Sequence, residues 1–283
     1  MEYNLRIGGV GFHILSDYEL HCEDAFANFC DAHAAADVNI VFTRDFFLAP
    51  RPEGAMLGKD LILEYYRSDH GLICFAREGE KGFLSVAECS DDFSRITCYM
   101  NCEDFFPRNS LANHLRMLPM RRILQYFGTS FFHASQISVD NTGILFTAPS
   151  GTGKTTQARL WRDHRGAQIV CNDRTLIRNG MTYGFPIDGS EPVRSGQVNQ
   201  LGAIVLLKQD SENSVRRLRP GNAIAALLPQ LVIDIWDPQA RTLAIEQLMD
   251  LLRAYPVYLL SCRPDADAVD CLAQRLAADG VII

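Results

Sequence analysis

The chain has 283 residues, 47% of them hydrophobic and 22% charged, with a formal net charge of −7. That is enough for one large or two ordinary domains with cores of their own, in the composition range of soluble globular proteins. The acidic balance argues against a nucleic-acid surface, which needs clustered Lys and Arg. The nearest cluster, Arg216-Arg217-Leu218-Arg219, reads more simply as an exposed strand end.

No apolar run reaches the roughly 18–20 residues that a membrane helix needs. The start, Met1-Glu2-Tyr3-Asn4-Leu5-Arg6, lacks the basic and then apolar regions of a signal peptide. The nine cysteines are odd in number and include no C-x-x-C. Cys98 and Cys102 are four apart, with no second pair or histidine to complete a zinc set. The expectation is a cytoplasmic protein with reduced thiols, several of them buried as small apolar groups.

Residues 1–108 read as an N-terminal, mostly antiparallel β domain. Leu5–Ile14, with Gly8, Gly9 and Gly11, suggests a bent or bulged hairpin, and Asp37–Thr43 alternates like a half-buried strand. Leu61–Arg67, Leu72–Arg77, Phe83–Glu88 and Phe93–Met100 follow as a meander, joined by turn signals such as Ser68-Asp69-His70-Gly71. His21, Cys22, Cys30, Asp31 and His33 crowd one stretch without a metal-ligand spacing, and Ala25, Phe26 and Phe29 fit an amphipathic helix there. Asn109 or Ser110 is placed to cap a helix through about Phe127, kinked or divided by Pro119, so that 109–128 reads as a bridging helix.

Residues 129–283 have a different texture, and the whole reads as a mixed α/β (α+β) chain. Phe131–Val139 and Gly143–Thr147 form a hairpin about Asp140-Asn141. Its return strand runs into Ala148-Pro149-Ser150-Gly151-Thr152-Gly153-Lys154-Thr155-Thr156. This is a phosphate-binding loop in its required strand–loop–helix setting, with Ala148 where the strict motif has glycine. Ser150, Gly151, Thr152, Gly153, Lys154, Thr155 and Thr156 would cradle a polyphosphate. Lys154 is placed to reach the β- and γ-phosphates and Thr155 to place its hydroxyl on Mg²⁺, with the helix N-terminus facing the anion. Ile169-Val170-Cys171 is a short apolar strand that delivers Asn172-Asp173-Arg174, and a carboxylate at that strand tip suits the metal.

Beyond these, Thr175–Arg178 and Met181–Phe185 read as a hairpin and Pro186–Asn199 as a long loop. Leu201–Lys208 reads as a strand paired with Ser214–Leu218, Ala223–Leu231 and Pro238–Ala254 as helices, Val257–Ser261 as a buried strand and Asp265–Ala278 as a closing helix. Trp161 and Trp236 are read as core aromatics.

The series Phe132-His133-Ala134-Ser135, the loop through Thr156, and Ile169–Arg174 resembles the kinase domain of the HPr serine kinase/phosphorylase family and the related ATP-dependent phosphoenolpyruvate carboxykinases. The resemblance covers about residues 128–283 and is tight from 131 to 174. It implies a phosphate-loop kinase domain entered through a hairpin, with ATP and Mg²⁺ as cofactors. Lys154 would sit on the phosphates, Thr155 and Asp173 on the metal, and His133 near the transferred group. It also implies a hydroxyl acceptor, most simply a serine of a peptide or protein, since some smaller relatives phosphorylate a serine of a modified peptide.

The family's proton-accepting Asp is here Asn172, which cannot accept a proton at neutral pH. Three readings follow: another base serves, with His133, Asp188 and Glu191 the candidates; positioning and electrostatics suffice; or the protein binds nucleotide as an accessory or regulatory factor without turnover. A small-molecule kinase is a further alternative. Arg194 is a candidate phosphate or carboxylate contact. The meander of the first half would suit recognition of a peptide added to a sheet edge. Acceptor and oligomeric state stay open.

Overall fold

The computed structural model describes residues 1–52, 54–77, 82–101, 109–187 and 196–282, with only the backbone of Ala25. The chain divides into two units: Met1–Phe127 with Asp234–Arg241, and Gly128–Ile233 with Thr242–Ile283. Both are built on large sheets, and the fold class is mixed α/β.

The first unit is an eight-stranded sheet in the order β1-β2-β3-β8-β7-β6-β5-β4. Its strands are β1 (Glu2–Ile7), β2 (Val10–Ser16), β3 (Val38–Thr43), β4 (Gly58–Lys59), β5 (Leu63–Ser68), β6 (Gly71–Arg77), β7 (Phe83–Ser90) and β8 (Arg95–Met100). The β5–β8 meander forms as the turn signals imply. Two pairings depart from the antiparallel expectation: β3 runs parallel to both β2 and β8. Chain order cannot reveal this, because β3 is inserted between strands that are distant in sequence.

The first hairpin has no bulge, its register running unbroken from Glu2↔Leu15 to Ile7↔Val10. Gly11 is there for close approach instead: a Cβ on it would stand 2.0 Å from the carbonyl oxygen of Ala35. The helix expected around Phe26 is one turn, α1 (Asp24–Ala27). It is cut short because Cys30 is drawn into a bridge with Leu5, and the Arg6 N–H donates to the carbonyl of Phe29.

Ser110 caps α2 (Leu111–Arg116) by accepting the Asn113 N–H at 3.2 Å, and Pro119 separates it from α3 (Met120–Tyr126). Leu111, Leu115, Ile123 and Leu124 are fully buried in this unit. The segment Asp234–Arg241 is held to it by charge and ring contacts. Arg121 pairs with Asp60 and, at 3.0 Å, with the buried Asp234; Arg122 pairs with Asp237; and the Trp236 ring lies 4.7 Å from that of Tyr65.

The second unit comprises β9 (Ser130–Val139), β10 (Thr142–Thr147), α4 (Lys154–Arg165), β11 (Gln168–Cys171), β12 (Arg174–Arg178), β13 (Met181–Gly184), β14 (Asn199–Gln209), β15 (Ser214–Arg217), α5 (Pro220–Leu227), α6 (Pro238–Ala254), β16 (Val257–Cys262) and α7 (Ala266–Ala278). The division between the units falls inside α6. Strands β10, β14 and β16 are parallel neighbours. β9 pairs with β10 on one side and with β11 and β12 on the other. Because β12–β13, β13–β14 and β14–β10 are also paired, five strands close into a ring.

Alternate residues of these strands face two separate cores. Ile144, Phe146, Val205 and Leu207 pack with Trp161 of α4 and Val269, Leu272 and Leu276 of α7. Leu145, Ile204 and Leu206 pack with Leu227 of α5 and Leu248 of α6. A sheet covered on both faces requires continuous apolar runs, which is why Ile144-Leu145-Phe146 shows no alternation.

Two expectations are corrected in this unit. β15 pairs with β16, not β14, because β16 slots in beside β14 from far along the chain. The helix expected over Ala223–Leu231 begins earlier, at Pro220, and after Leu227 tightens to a single 3₁₀ turn, Leu228–Gln230, with a proline at its start.

Candidate functional site

The loop leaves the sheet at the C-terminal end of β10, whose neighbour β14 runs parallel. Asp140 and Asn141 turn the preceding hairpin with positive φ of 47° and 62°, fixing the register so that Thr147 lies opposite Ala134. The loop then needs left-handed backbone at two places, and both are glycine: Gly151 at φ 80° and Gly153 at φ 113°. A Cβ on either would meet nothing within 4 Å, so the glycines answer to backbone conformation and not to crowding. Gly153 is the N-cap of α4, and the Gln157 N–H closes the first helical turn on its carbonyl at 2.9 Å.

Lys154 is buried, 7% exposed, and its ammonium donates to the carbonyl oxygens of Ala148 at 2.9 Å and Pro149 at 3.4 Å. Burial lowers its pKa, the nearby Asp173 carboxylate opposes this, and Arg174 adds to it. Ser150, Gly151 and Thr156 are exposed, whereas Thr152, Gly153 and Thr155 are half-buried.

The second part of the site comes from β9 and from the turn between β11 and β12. Arg174 lies opposite His133, and the Ala134 N–H donates to the Asp173 carbonyl at 3.1 Å. This places the imidazole Nε2 of His133 3.1 Å from Asp173 Oδ1, with Arg174 Nε 3.8 Å from Oδ2. Burial lowers the pKa of His133, and the neighbouring Lys154 lowers it further, while Asp173 raises it.

Below these, Ser135 Oγ donates to the Asn172 carbonyl at 2.9 Å, and Thr147 Oγ1 donates to the His133 carbonyl at the same distance. Asn172 is itself buried, 8% exposed. Strand β9 thus carries both the histidine and the serine of Phe132-His133-Ala134-Ser135 that steady the Asn172-Asp173 turn.

His133, Lys154, Asp173 and Arg174 are therefore within electrostatic reach of one another. Asp188, Glu191 and Arg194 lie outside the described residues. Among the described residues no group of three or more His, Cys, Asp or Glu could hold a metal by themselves, and the stretch from His21 to His33 forms no such cluster. Trp161 is 1% exposed against Phe146, and Trp236 is half-buried on Tyr65.

Two further side chains belong to this neighbourhood. Arg174 stands in the Asn-Asp-Arg triplet, but without its cross-strand partner it looks like any surface arginine. Gln209, the last residue of β14, donates its amide toward the carbonyls of Thr152 at 3.4 Å and Gly151 at 3.5 Å. No motif marks it; only its place at the end of a long apolar strand was visible.

The donor set could hold an anion and a cation side by side. It combines an ammonium among loop carbonyls, a helix N-terminus, a hydroxyl at 155 and a carboxylate at 173, which together fit a polyphosphate and a hard, oxygen-binding cation. No family model matches the sequence, and no curated protein matches it. Among solved structures the chain is similar to the Hpr(Ser) kinase/phosphatase from Coxiella burnetii, at 16% identity and a TM-score of 0.30, over 53% of this chain and 97% of that one. So slight a likeness carries no function, and the chemistry has to come from the residues. No helix among the described residues is long and apolar enough to cross a membrane.

Proposed function

We propose that the protein is an ATP- and Mg²⁺-dependent kinase of the HPr kinase-like type, transferring phosphate to a hydroxyl, most simply a serine of a peptide or protein. The observation that carries this reading is the convergence of Lys154, His133, Asp173 and Arg174 beside one glycine loop. Lys154 and the loop amides would hold the phosphates, Thr155 and Asp173 would hold the cation, and Arg174 would keep Asp173 oriented. When bound, Mg²⁺ supplies charge neutralisation at the transferring phosphoryl group.

His133 occupies the ground next to that carboxylate, and it steers Asp173 by a hydrogen bond. Ser135 and Thr147 fix the backbone under both. Phosphoryl transfer leans mostly on positioning and electrostatics, so a site without a carboxylate at position 172 is chemically coherent.

A second reading is a nucleotide-binding accessory or regulatory protein without turnover. It is favoured by one specific residue, Asn172, at the place of the family's base. The deciding experiment incubates the protein with γ-labelled ATP, Mg²⁺ and hydroxyl acceptors, comparing wild type, Lys154→Ala and Asn172→Asp. Label on a peptide serine that disappears in Lys154→Ala supports the kinase. Label on a free amino acid or sugar moves it to the small-molecule class. Activity in Asn172→Asp alone makes the natural chain a nucleotide binder.

A further inference from the structure

We infer that Gln209 is a positioning residue for the phosphate loop, holding it in the form that accepts an anion; this rests on the phosphate-loop reading above. Glycine at 151 and 153 lets the loop reach positive φ, but it also leaves the adjoining peptide groups free to flip. A flip would turn a carbonyl oxygen toward the anion in place of an N–H. Within the loop only the 151–152 peptide is held against it, by the Thr152 N–H on the Pro149 carbonyl at 3.3 Å, among the described backbone bonds.

Two side chains each donate to two of the loop's carbonyls. Ala148 and Pro149 accept from the Lys154 ammonium, and Gly151 and Thr152 accept from the single amide of Gln209. The two donors differ in what a ligand does to them. Lys154 is the group a polyphosphate would draw away from Ala148 and Pro149. Gln209 carries no charge, is itself exposed, and approaches the loop through carbonyls only, so an anion gives it no reason to leave.

A peptide group is planar and points its C=O and N–H in opposite directions. Anchoring the Thr152 carbonyl on Gln209 therefore sets the direction of the Gly153 N–H. Anchoring the Gly151 carbonyl does the same for the Thr152 N–H, which lies 3.3 Å from the Pro149 carbonyl across the turn. The strand supplies the rigidity. β14 is paired with β16 up to Gln209↔Cys262, and the next amide, Asp210, donates to the Cys262 carbonyl at 3.1 Å, so the anchor is fixed at its base.

The test uses the full chain as wild type, Gln209→Met and Gln209→Glu. Calorimetry measures binding of Mg²⁺–ADP and of inorganic tripolyphosphate, melting temperature reports the fold, and hydrogen exchange is followed at the Thr152 and Gly153 amides. Gln209→Met keeps the shape and loses the donor. It is expected to weaken both ligands by the same factor, roughly three- to tenfold, the net worth of about one hydrogen bond. Melting should be unchanged and Gly153 exchange faster. Gln209→Glu is expected to bind both more weakly still, since its carboxylate repels the carbonyls and the phosphates.

Equal affinity in wild type and Gln209→Met, or a loss confined to the nucleotide, overturns the inference. If the wild type takes up neither ligand, the phosphate-loop reading itself fails. Gly153 exchange then still decides the matter for Gln209: faster exchange in Gln209→Met supports its hold on the loop, and unchanged exchange removes it.

Discussion

The imidazole Nε2 of His133 lies 3.1 Å from Oδ1 of Asp173, a pairing between a strand that precedes the glycine loop and a turn that follows its helix. The two side chains are 28% and 30% exposed, dry enough for the contact to hold a geometry and wet enough to admit a ligand. The hydrogen bond fixes one carboxylate oxygen and leaves the other toward Arg174.

His133→Ala should therefore loosen Asp173 without removing it. The expected result is a fall in transfer rate on the order of ten- to a hundredfold, with nucleotide affinity changed far less, because positioning acts on the reacting geometry more than on the grip. Steady-state kinetics that separate kcat from KM check this. An equal loss in affinity would place His133 among the binding groups instead.

Lys154 and Asp173 should separate by their dependence on the cation. Lys154→Ala is expected to weaken nucleotide binding at least tenfold with and without Mg²⁺, since it removes the ammonium that, on the proposed function, would face the phosphates. Asp173→Asn should leave binding without Mg²⁺ nearly unchanged and abolish the gain that Mg²⁺ brings. Calorimetric titrations with and without EDTA distinguish the two.

Asn172→Asp introduces a proton acceptor at a buried position beside Asp173. The expected gain is on the order of 10²-fold in transfer rate, within the range general bases contribute. The expected cost is a stability loss of about 1–3 kcal/mol, from burying a carboxylate near another. Turnover assays paired with urea unfolding measure both, and a rate unchanged from wild type would show that position 172 does not limit the chemistry.

In the first unit, His114 sets a pH limit on stability. Its ring is fully buried, with Nδ1 2.8 Å from the Ser110 carbonyl and Nε2 2.8 Å from the Tyr18 hydroxyl. The neutral ring fits both partners, donating from Nδ1 and accepting from Tyr18. Burial lowers its pKa to about 4, against the opposing pull of the Ser110 carbonyl and Glu23. The folded form thus stays neutral while the unfolded chain takes up a proton near pH 6.5. Stability from this group is full above pH 6.5 and is lost as pH falls toward 4, by up to about 3 kcal/mol. Urea unfolding across that window should show the loss, and His114→Gln should flatten the pH dependence by a similar amount.

Gly143 faces a polar knot inside the strand ring, where Gln136 donates to Thr182 Oγ1 at 2.6 Å and Ser138 to Asn199 Oδ1 at 2.6 Å. A Cβ on Gly143 would stand 2.6 Å from that same Thr182 oxygen. Gly143→Ala should destabilise by about 1–3 kcal/mol. Gly221→Ala, in α5 with nothing within 4 Å of the added carbon, should stabilise by about 0.5–1 kcal/mol. Thermal melts of both variants check the contrast.

Local features were legible because their causes are local. Ser110 before an apolar stripe, Pro119 within it, Asp140-Asn141 between two strands and Gly-x-Gly-Lys-Thr after one each act through neighbours in the chain. What misled was assigning partners by chain order. β3 lies parallel between β2 and β8, and β16 takes the place beside β14 that β15 was expected to fill. The helix expected around Ala25, Phe26 and Phe29 stops after one turn, ahead of the bridge between Cys30 and Leu5.

The amino-acid sequence alone determined the turns and helix breaks, and it singles out the glycine loop that ends in Lys154-Thr155, since backbone preference and side-chain type are properties of adjacent residues. Only the tertiary structure decided that His133 and Arg174 flank Asp173 and that Gln209 reaches the loop. His133 and Asp173 are 40 positions apart in the chain and Gln209 is 58 from Gly151, and sheet register is set by which faces bury against α4, α5, α6 and α7.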